Sequence, residues 1–582
     1  MSTQADGRAR LYRSTALGLA AALVMAGAAG MVLEAAPASA KGVACRGDNA
    51  GIRLSPGFCA TLFADNLGHV RHMAVASNGV VYANTWSGRY FANSPPPPGG
   101  FLIALKDTTG NGKADQQTRF GETVAEGDAG GTGIALYKGY VYAEANDKIV
   151  RYAIPAGGAV PSGKPETVLS GMPLEGDHPM HPFVIDAKGE IFVDMGTATN
   201  SCQPQNRANE IPGADPCTEK QTRGGIWRYD AGKLGQAFSP AERFATGLRN
   251  GEGLGFDAAG RLYATQHGRD QLLQNWPKLY TDAARTTELP SEELVHLTAG
   301  ADFGWPECYY DNFQKKLVLA PEYGGDGGKK VGVCAQRTAP VAAFPAHWAP
   351  NDLAIYKAKA FPAPYQGGAF ITFHGSWNRA PAPQAGYNVV YQPLAAGKAS
   401  GRYIVFADGF AGPGKETGQA QFRPTGLAVG PDGALYISDD VKGRIWKVTY
   451  HGPAKLAAIA PAPAAKTNKP SGPAAAAESS LPTPAGATKA QVQAGDKLFH
   501  AQGCAGCHGA DARGTSLAPD LGSGKWLWGD GSLASIRRTI AAGVPMPKQY
   551  RSPMPALGGA QLSDQELSSV AAYVWAVGHR SK

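Results

Sequence analysis

One local pattern recurs six times in the first 450 residues and restricts the fold more than any other feature of the chain. Its clearest copies are MAVASNGVVYA at Met73, FVIDAKGEIFV at Phe183, LGFDAAGRLYA at Leu254 and LAVGPDGALYI at Leu427. Each copy alternates apolar residues, makes a short turn that contains glycine, and continues with an apolar and an aromatic residue. The pattern predicts a β-hairpin whose turn glycine adopts a positive φ.

Two further stretches fit the pattern with a shorter or a longer connection, IALYKGYVYA at Ile134 and LAIYKAKAFPAPYQGGAFITF at Leu353. Six antiparallel units on this scale predict an all-β propeller, and a large β-sandwich is the alternative. A helical fold is disfavoured by the 76 glycines and 43 prolines, and by the lack of long helical periodicity before residue 490.

A change of composition after the last repeat predicts a domain boundary. From His451 to about Ala490 the chain is rich in alanine and proline and almost free of large apolar residues. Such a segment cannot bury enough surface to fold. We therefore expect a propeller domain over residues 41–450, a linker over 451–490 and a small domain over 491–582.

The small domain contains Cys504, Cys507 and His508 in the order C-x-x-C-H, which is the spacing for covalent attachment of a c-type haem. KAQVQAGDKLFHAQGC predicts a helix that leads into this motif, and LSDQELSSVAAYVWAVG predicts a closing helix. Ser563 and Glu566 form a capping box at the start of the closing helix. The sequence therefore predicts a small all-α haem domain.

The order of haem motif, methionine-containing loop and terminal helix resembles that of the class I cytochromes c. The resemblance implies that His508 is the proximal ligand of the haem iron and that a methionine is the distal ligand. Met546 and Met554 are both candidates, and Met554 in SPMPALGG fits the family pattern better.

The N-terminus has the layout of a secretory signal. Three arginines precede an apolar run from about Ala16 to Leu33, and the triplet Ala-Ser-Ala at 38–40 follows as a cleavage site. Residues 1–40 are thus predicted to be a signal peptide of a periplasmic or secreted protein, with an uncleaved membrane anchor as the alternative. The formal charge of +8 is modest and comes without a basic run or nucleic-acid motif, which argues against nucleic acid as a partner.

The six cysteines outside the haem motif agree with export to an oxidising compartment. They occur as three pairs of sequence neighbours: Cys45 and Cys59, Cys202 and Cys217, and Cys308 and Cys334. This arrangement suggests three local disulfides, although six cysteines allow 15 pairings. A zinc site is the competing interpretation, but no second C-x-x-C is present to build it.

The stretch DTTGNGKAD, from Asp107 to Asp115, resembles the first nine positions of an EF-hand loop. Position twelve would be Thr118 rather than glutamate, and no helical pattern flanks the loop. We therefore expect a tight turn between two strands, with cation binding as the alternative.

Ionisable residues stand directly before or after the predicted hairpins, where the loops of a propeller converge on its central channel. The stretches are GDHPMH from Gly176, GLRNGEG from Gly247, QHGRD from Gln266, HGSWNR from His374 and FRPTG from Phe422. One neutral histidine as a base, several arginines and some backbone carbonyls suit a polyanionic redox cofactor together with a cation.

These motifs, together with ADFGWPE and YQGGAFITF, resemble the soluble glucose dehydrogenase and sorbosone dehydrogenase family. Members of that family are six-bladed propellers that bind pyrroloquinoline quinone (PQQ). The similarity covers most of residues 50–450. It implies a PQQ-dependent sugar or aldose dehydrogenase with PQQ and calcium as cofactors, to which the C-x-x-C-H motif adds haem c.

The resemblance assigns catalytic roles to three residues. His178 matches the catalytic base of the family, and Arg249 and Asn250 match its quinone-contacting Arg-Asn pair. The glucose-oxidising members carry an acidic residue where this chain has Thr197, and Asp177 could take its place in orienting His178.

The resemblance also assigns cofactor-binding residues. Gly268 and Arg269 fall where backbone carbonyls hold the cofactor-bound calcium, although a proline usual in the family is Arg269 here. Arg379 falls near a cationic quinone contact, and Arg423 matches an arginine beside the quinone carboxylates.

The expected function follows from the two halves of the chain. HGSWNR and the insertion SCQPQNRANEIPGADPC look more like the sorbosone branch than the glucose branch. We expect a periplasmic quinohaemoprotein dehydrogenase that oxidises a sugar or sugar-derived aldehyde by hydride transfer to PQQ. Electrons would pass to the fused haem and on to an external acceptor, either a soluble cytochrome or a membrane respiratory chain.

Two other classes of protein remain as alternatives. Calcium-dependent lactonases also use six-bladed propellers, but such a hydrolase would have no use for a fused haem. A binding propeller with a passenger cytochrome is the other alternative, in which the arginines and histidines would be incidental.

Overall fold

The structure is a computed structural model. It describes residues 45, 47–85, 98–122, 131–376, 378–379, 382–415, 419–453, 455–456, 458–462, 481–501, 504–509, 512–514, 518–544, 547–550, 554, 556–559 and 562–580. The predicted signal peptide at 1–40 and Met546 lie outside these residues.

Six four-stranded antiparallel units form the blades of a β-propeller, as the repeats predict. Blade 1 comprises Val70–Val75, Val81–Thr85, Leu102–Lys106 and Gln116–Phe120. Blade 2 comprises Ile134–Tyr137, Tyr140–Ala145, Lys148–Ala153 and Ser162–Ser170. Blade 3 comprises Phe183–Ile185, Glu190–Met195, Gly225–Asp230 and Arg243–Thr246. Blade 4 comprises Leu254–Phe256, Leu262–Gln266, Glu292–Leu297 and Ala342–Phe344. Blade 5 comprises Pro350–Ile355, Ala369–Phe373, Asn388–Gln392 and Ile404–Asp408. Blade 6 comprises Pro424–Val429, Leu435–Asp439, Ile445–Tyr450 and Phe58–Ala64.

Shorter elements decorate the blades. Strand Arg53–Leu54 extends blade 5, and Gln236–Ala237 extends blade 2. Separate hairpins pair Cys308–Asp311 with Lys316–Leu319 and Leu394–Ala395 with Lys398–Ala399. Short helices of the propeller are Asn49–Gly51, Thr218–Gln221, Pro240–Glu242, Leu272–Asn275, Ala283–Thr286, Pro321–Tyr323, Gly332–Gln336 and Ala363–Tyr365.

Each predicted hairpin supplies the first two strands of one blade. Met73 pairs with Ala83 in blade 1, and Phe183 pairs with Val193 in blade 3. The glycine in the turn has a positive φ, as at Gly189 with a φ of 98°. Local alternation and turn chemistry therefore specify the start of every blade.

The ring closes because blade 6 combines strands from both ends of the propeller. Phe58–Ala64 pairs antiparallel with Ile445–Tyr450. The Phe58 ring centroid lies 4.8 Å from those of Phe361 and Phe406 and 5.0 Å from that of Tyr365. The closing strand is thus anchored in an aromatic cluster shared with blade 5.

Three disulfides join the sequence neighbours as predicted: Cys45 to Cys59, Cys202 to Cys217 and Cys308 to Cys334. The DTTGNGKAD stretch is the predicted tight turn, between the last two strands of blade 1. The Asp107 carboxylate accepts backbone N–H bonds from Gly110 and Gly112, each at 2.7 Å. Its oxygens are therefore used to hold the turn.

Part of the alanine- and proline-rich segment lies on the propeller. Leu456 and Ile459 pack against the aromatic cluster of the closing strand. The backbone N–H of Ala462 donates to the carbonyl of Val405 at 2.8 Å. The beginning of the predicted linker is thus held by the propeller, and residues 463–480 are not described.

The C-terminal domain is helical, as expected. Its helices are Lys489–Ala501, Cys504–His508, Leu533–Ala542 and Asp564–Gly578, with short helices at Leu521–Ser523 and Ala556–Gly559. Ser563 and Glu566 make the predicted capping box. Helix Leu533–Ala542 was not expected from the sequence. Within the described part of the chain, no helix is both long and apolar enough to cross a membrane.

The aromatic anchor of the closing strand gives a stability prediction. Phe58 is 3% exposed, and Phe58→Ala should lower the free energy of unfolding by about 3–5 kcal/mol because it leaves a cavity in the cluster. Phe313, which is 52% exposed, is the matched control, and Phe313→Ala should cost less than about 1 kcal/mol. Denaturant unfolding of the full chain measures both. Equal losses would show that blade closure does not depend on this anchor.

Candidate active site

His178 lies buried just before the first strand of blade 3. Its Nδ1 is 2.8 Å from the carbonyl oxygen of Thr197 and 3.1 Å from the Thr197 hydroxyl oxygen. That hydroxyl donates to the carbonyl of Thr199 at 2.7 Å, so both Thr197 oxygens act as acceptors toward the ring. Nδ1 therefore carries the proton, and Nε2 presents its lone pair.

The electrostatic surroundings keep His178 neutral. Burial, followed by the positive charge of Arg249, lowers the pKa of His178 well below its usual 6.5. A neutral imidazole with a bare Nε2 is the form that a general base requires. Among the described residues, Nε2 has no hydrogen-bond partner.

The group that orients His178 differs from the one suggested by the sequence. Thr197 itself contacts the ring. The Asp177 carboxylate instead accepts hydrogen bonds from Asn206 at 3.1 Å and from Arg207 at 2.9 Å. The backbone carbonyl of Thr197 therefore orients His178, where a carboxylate was expected. Unlike a carboxylate, it adds no negative charge that would raise the pKa of His178.

Arg249 and Asn250 stand on the loop before blade 4 and face the same site. Arg249 Nη2 lies 2.7 Å from Asp270 Oδ2, and Nη1 lies 3.2 Å from the carbonyl of Gly268. Arg249 Nε and Asn250 Oδ1 are buried without a hydrogen-bond partner. Because buried polar groups are normally paired, these two atoms indicate a place for a polar ligand.

Gly196 brings the base and the Arg-Asn pair together. A Cβ atom built on Gly196 would lie 2.6 Å from His178 Cβ and 3.0 Å from Asn250 Oδ1. The backbone N–H of Thr197 donates to the carbonyl of Arg249 at 2.8 Å. The end of strand Glu190–Met195 thus packs His178 against the loop of blade 4, and only glycine leaves room for this contact.

Gly268 lies in this site, but the side chain of Arg269 turns away from it. The Gly268 N–H donates to Glu292 Oε2 at 2.9 Å, and its carbonyl faces Arg249. Arg269 forms a buried ion pair with Glu322 at 2.7 Å. A cation at this position would therefore be bound only by the backbone carbonyl oxygens of Gly268 and Arg269. No cluster of three or more His, Cys, Asp or Glu side chains that could hold a metal occurs within the described ranges.

Arg379 approaches the site from blade 5. It donates to the carbonyl of Ala346 at 2.8 Å and pairs with Glu288. Next to Ala346, His347 lies 3.7 Å from the Asp270 carboxylate. Burial lowers the pKa of His347 to about 4, and the charges of Arg379 and Arg249 both contribute to that lowering. Arg379 therefore lies near the Arg249 group but is engaged by protein acceptors.

Arg423 belongs to a buried polar network that crosses the central channel. It donates to the carbonyls of His374 and Gly375, and His374 Nε2 lies 2.8 Å from Asp440. Asp440 pairs with Arg71 at 2.7 Å. The network continues from Arg71 to Glu252 and from Glu252 to Asn250. Arg423 is thus coupled to the site through groups on four blades.

The haem motif is arranged to accept its cofactor. Cys504 and Cys507 form no disulfide with any described residue. His508 Nδ1 lies 3.1 Å from the carbonyl of Pro519, which leaves Nε2 for a metal, the usual arrangement of a histidine ligand. Met554 packs against the same core as Cys504 and pairs through its backbone with Val544. The residues present fit a covalently attached haem, and Met554 stays the predicted distal ligand.

The structure adds residues that the sequence reasoning passed over. Asp270 closes the QHGRD stretch, so its position after a hairpin was a usable signal. Arg71 and Asp440 meet although 369 positions separate them, and only closure of the ring brings them together. Arg207 lies within the sorbosone-like insertion closed by the Cys202–Cys217 disulfide, but the sequence pattern assigned it no role.

Comparison with known proteins finds a matching family model for each of the two parts of the chain. Residues 52–451 match the family model described as TrAA12-like. Residues 492–578 match the model described as Cytochrome c. The iodide structure of the carbohydrate-active enzyme family AA12 protein from Trichoderma reesei superposes on this chain with a TM-score of 0.54 at 19% sequence identity. The superposition covers 69% of this chain and 98% of the Trichoderma reesei chain.

Two curated relatives match separate parts. The PQQ-dependent pyranose dehydrogenase of Coprinopsis cinerea is 29% identical over 231 residues, 34% of this chain and 30% of that protein. The Cbb3-type cytochrome c oxidase subunit FixP of Azorhizobium caulinodans is 39% identical over 85 residues, 14% of this chain and 28% of that protein. The chain thus spans less than a third of the length of either relative.

The close packing at Gly196 can be tested directly. Gly196→Ala should lower the free energy of unfolding by about 1–3 kcal/mol, because the added methyl group meets His178 Cβ and Asn250 Oδ1. Gly401 is the matched control, since a Cβ there would meet only Pro393 Cγ at 3.8 Å, and Gly401→Ala should change stability by less than about 0.5 kcal/mol. Denaturant unfolding of both variants checks this. A neutral Gly196→Ala would mean that His178 and Asn250 are not packed this closely.

Proposed function

This chain belongs to the TrAA12-like family over residues 52–451, and we propose that it is a periplasmic quinohaemoprotein dehydrogenase for a sugar or sugar-derived aldehyde. One observation carries the proposal: a neutral His178 with a bare Nε2 lies beside the unpaired polar atoms of Arg249 and Asn250. The cytochrome c domain at 492–578 supplies a one-electron carrier on the same chain.

The residues of the site have distinct roles. When bound, PQQ would accept a hydride, two electrons with one proton, from the substrate carbon. His178 Nε2 takes the proton of the substrate hydroxyl, because Thr197 occupies the other ring nitrogen. Arg249, whose Nε has no partner in the described part of the structure, would stabilise the negative charge that develops on a carbonyl oxygen of the bound quinone. Asn250 helps to orient the cofactor through its unpaired oxygen.

The cationic side chains suit the carboxylates of the quinone. Arg379 is buried and Arg423 is half-buried, and a guanidinium shielded from solvent is a strong partner for carboxylates. Arg379 already pairs with Glu288, so Arg423 is the better candidate for a direct contact. Calcium would be held by the backbone carbonyls of Gly268 and Arg269 together with oxygens of the cofactor and water, since calcium takes six to eight oxygen ligands.

The substrate and the acceptor follow from the chemistry of the two domains. The similarity to the pyranose dehydrogenase of Coprinopsis cinerea supports a sugar as substrate, and the sorbosone-like motifs favour a sugar-derived aldehyde. Cys504, Cys507 and His508 would hold a haem, which takes up one electron at a time. Two such transfers, each followed by reoxidation of the haem by an external one-electron acceptor and together releasing two protons to solvent, would return the quinone to its oxidised form.

Haem reduction driven by sugar tests this function. Purified protein carrying haem is mixed with PQQ and calcium, and the α-band of ferrous haem is followed as aldoses, sorbosone and lactones are added in turn. A sugar or aldehyde should reduce the haem, and a lactone should not. His178→Ala should cut turnover by about 10²–10⁴-fold while PQQ still binds. The acid limb of kcat/KM should lie below pH 6.5, because the pKa of His178 is lowered and the base is active when deprotonated.

His451→Ala is the matched control, because His451 is an exposed histidine at the end of blade 6, and its turnover should equal that of the unmodified protein. If PQQ and calcium bind but no sugar or aldehyde reduces either PQQ or haem, the proposed function is wrong. Lactone hydrolysis with oxidised haem would establish the hydrolase alternative instead.

A further inference from the structure

The insertion closed by the Cys202–Cys217 disulfide faces the helical domain across a cleft. We call residues 202–217 the disulfide loop. A cleft is lined on one side by Asn209 of this loop, and on the other by Leu557, Leu562, Ser563 and Glu566 of the helical domain. The disulfide loop is therefore the part of the propeller that meets the C-terminal domain at this cleft.

The far side of this cleft leads to the haem motif. Leu557 and Gly558 adopt left-handed backbone angles, with φ of 57° and 68°. A Cβ built on Gly558 would lie 3.6 Å from Cys504 Sγ. The turn that faces Asn209 thus packs directly against one of the two thiols that would attach the haem.

Arg207 connects the disulfide loop with the candidate active site. Its guanidinium donates to Asp177 at 2.9 Å and to Asp270 at 3.0 Å. Asp270 is the residue that pairs with Arg249, and Asp177 precedes His178 in the chain. One carboxylate is therefore shared by the arginine of the candidate site and the arginine of the loop.

The backbone around Arg207 is fixed by a buried side chain. The Asn275 amide donates to the carbonyl of Arg207 at 3.1 Å and to Asn209 Oδ1 at 3.2 Å. The N–H of Glu210 donates to the carbonyl of Asn275 at 2.9 Å. Asn275 is fully buried, so Arg207 and Asn209 are held as one rigid unit between the candidate site and the cleft.

The position of Arg207 links the two sides. Its charge adds to burial in lowering the pKa of His178. Arg207 is also two residues from Asn209, which lines the cleft whose opposite wall packs against Cys504. Arg207 therefore stands between the candidate base of the propeller and the cleft that leads to the haem-attachment motif.

We propose that the disulfide loop docks the helical domain onto the propeller and that Arg207 is a positioning residue for electron transfer between their redox sites. A fixed positive charge beside the haem favours the ferrous state, because each reduction adds one electron to ferric haem. The same side chain holds Asp177 and Asp270 in place. The inference extends the proposed function and rests on it only for the source of the electrons.

The haem potential tests the electrostatic role without any sugar or PQQ. In a spectroelectrochemical titration of the full haem-loaded chain, Arg207→Gln should lower the equilibrium constant for haem reduction by about two- to tenfold, where tenfold is about 59 mV. Arg207→Lys keeps the charge and should retain most of the potential. Arg228→Gln is the matched control, since Arg228 pairs with Glu190 on blade 3 and is 49% exposed, and its potential should not change.

An unchanged potential in Arg207→Gln, or an equal fall in Arg228→Gln, would overturn the electrostatic role. Because sugar is absent, this result is independent of the proposed dehydrogenase activity. If sugar then fails to reduce a haem whose potential responds to Arg207, only the proposed function is lost.

The docking itself is tested by cross-linking. Asn209→Cys combined with Ser563→Cys should form a disulfide in the oxidised full chain, detected as a joined peptide by mass spectrometry after proteolysis. Asn209→Cys combined with Lys525→Cys is the control, because Lys525 does not line the cleft, and it should not cross-link. Equal cross-linking of both pairs, or none in the first, would overturn the docking surface.

Discussion

The Asp270 carboxylate, shared between Arg249 and Arg207, is the interaction on which the candidate site depends. Burial alone would raise the pKa of Asp270, but the charges of Arg249 and Arg207 lower it below its ordinary value. Asp270 is therefore ionised and holds both guanidinium groups at 2.7 and 3.0 Å. Removing one partner of such a buried pair typically costs about 3–5 kcal/mol.

The two ion pairs of Asp270 fix side chains on two sides of the carboxylate. Toward the channel, Arg249 is fixed beside His178, and its charge helps to keep the imidazole neutral. Toward the outside, Arg207 is fixed in the disulfide loop that meets the helical domain. The hydride removal and the electron path that we propose would thus both depend on one carboxylate.

Much of the fold could be predicted from local patterns. The hairpins that start the blades follow from two-residue alternation and a turn glycine, and the three disulfides join sequence neighbours. The helix at Leu533–Ala542 was missed, and so was the packing of Leu456 and Ile459 on the propeller. The helix had local signals that were passed over, the N-cap Ser532 and the glycine that follows its last residue, whereas the packing of Leu456 and Ile459 depends on tertiary burial that no local pattern encodes.

Residues of the candidate site could be predicted from the sequence only where the resemblance to the dehydrogenase family pointed to them. His178, Arg249 and Asn250 come together as expected, but the orientation of His178 by Thr197 depends on a backbone carbonyl, which sequence patterns cannot reveal. The Arg71–Asp440 pair joins residues 369 positions apart and forms only when the ring closes. Arg207 lies in the sorbosone-like insertion, but no role could be assigned to it, because its role depends on where the disulfide loop lies.

We propose above all that a haem bound to this chain accepts its electrons from the propeller of the same molecule. Stopped-flow measurement of haem reduction after substrate addition tests it most directly, with the protein concentration varied at saturating substrate. The account predicts a first-order rate that does not change with protein concentration, because the linked domains meet at an effective concentration that can reach about the millimolar range. A rate that rises in proportion to protein concentration would contradict it, because the electrons would then pass between molecules.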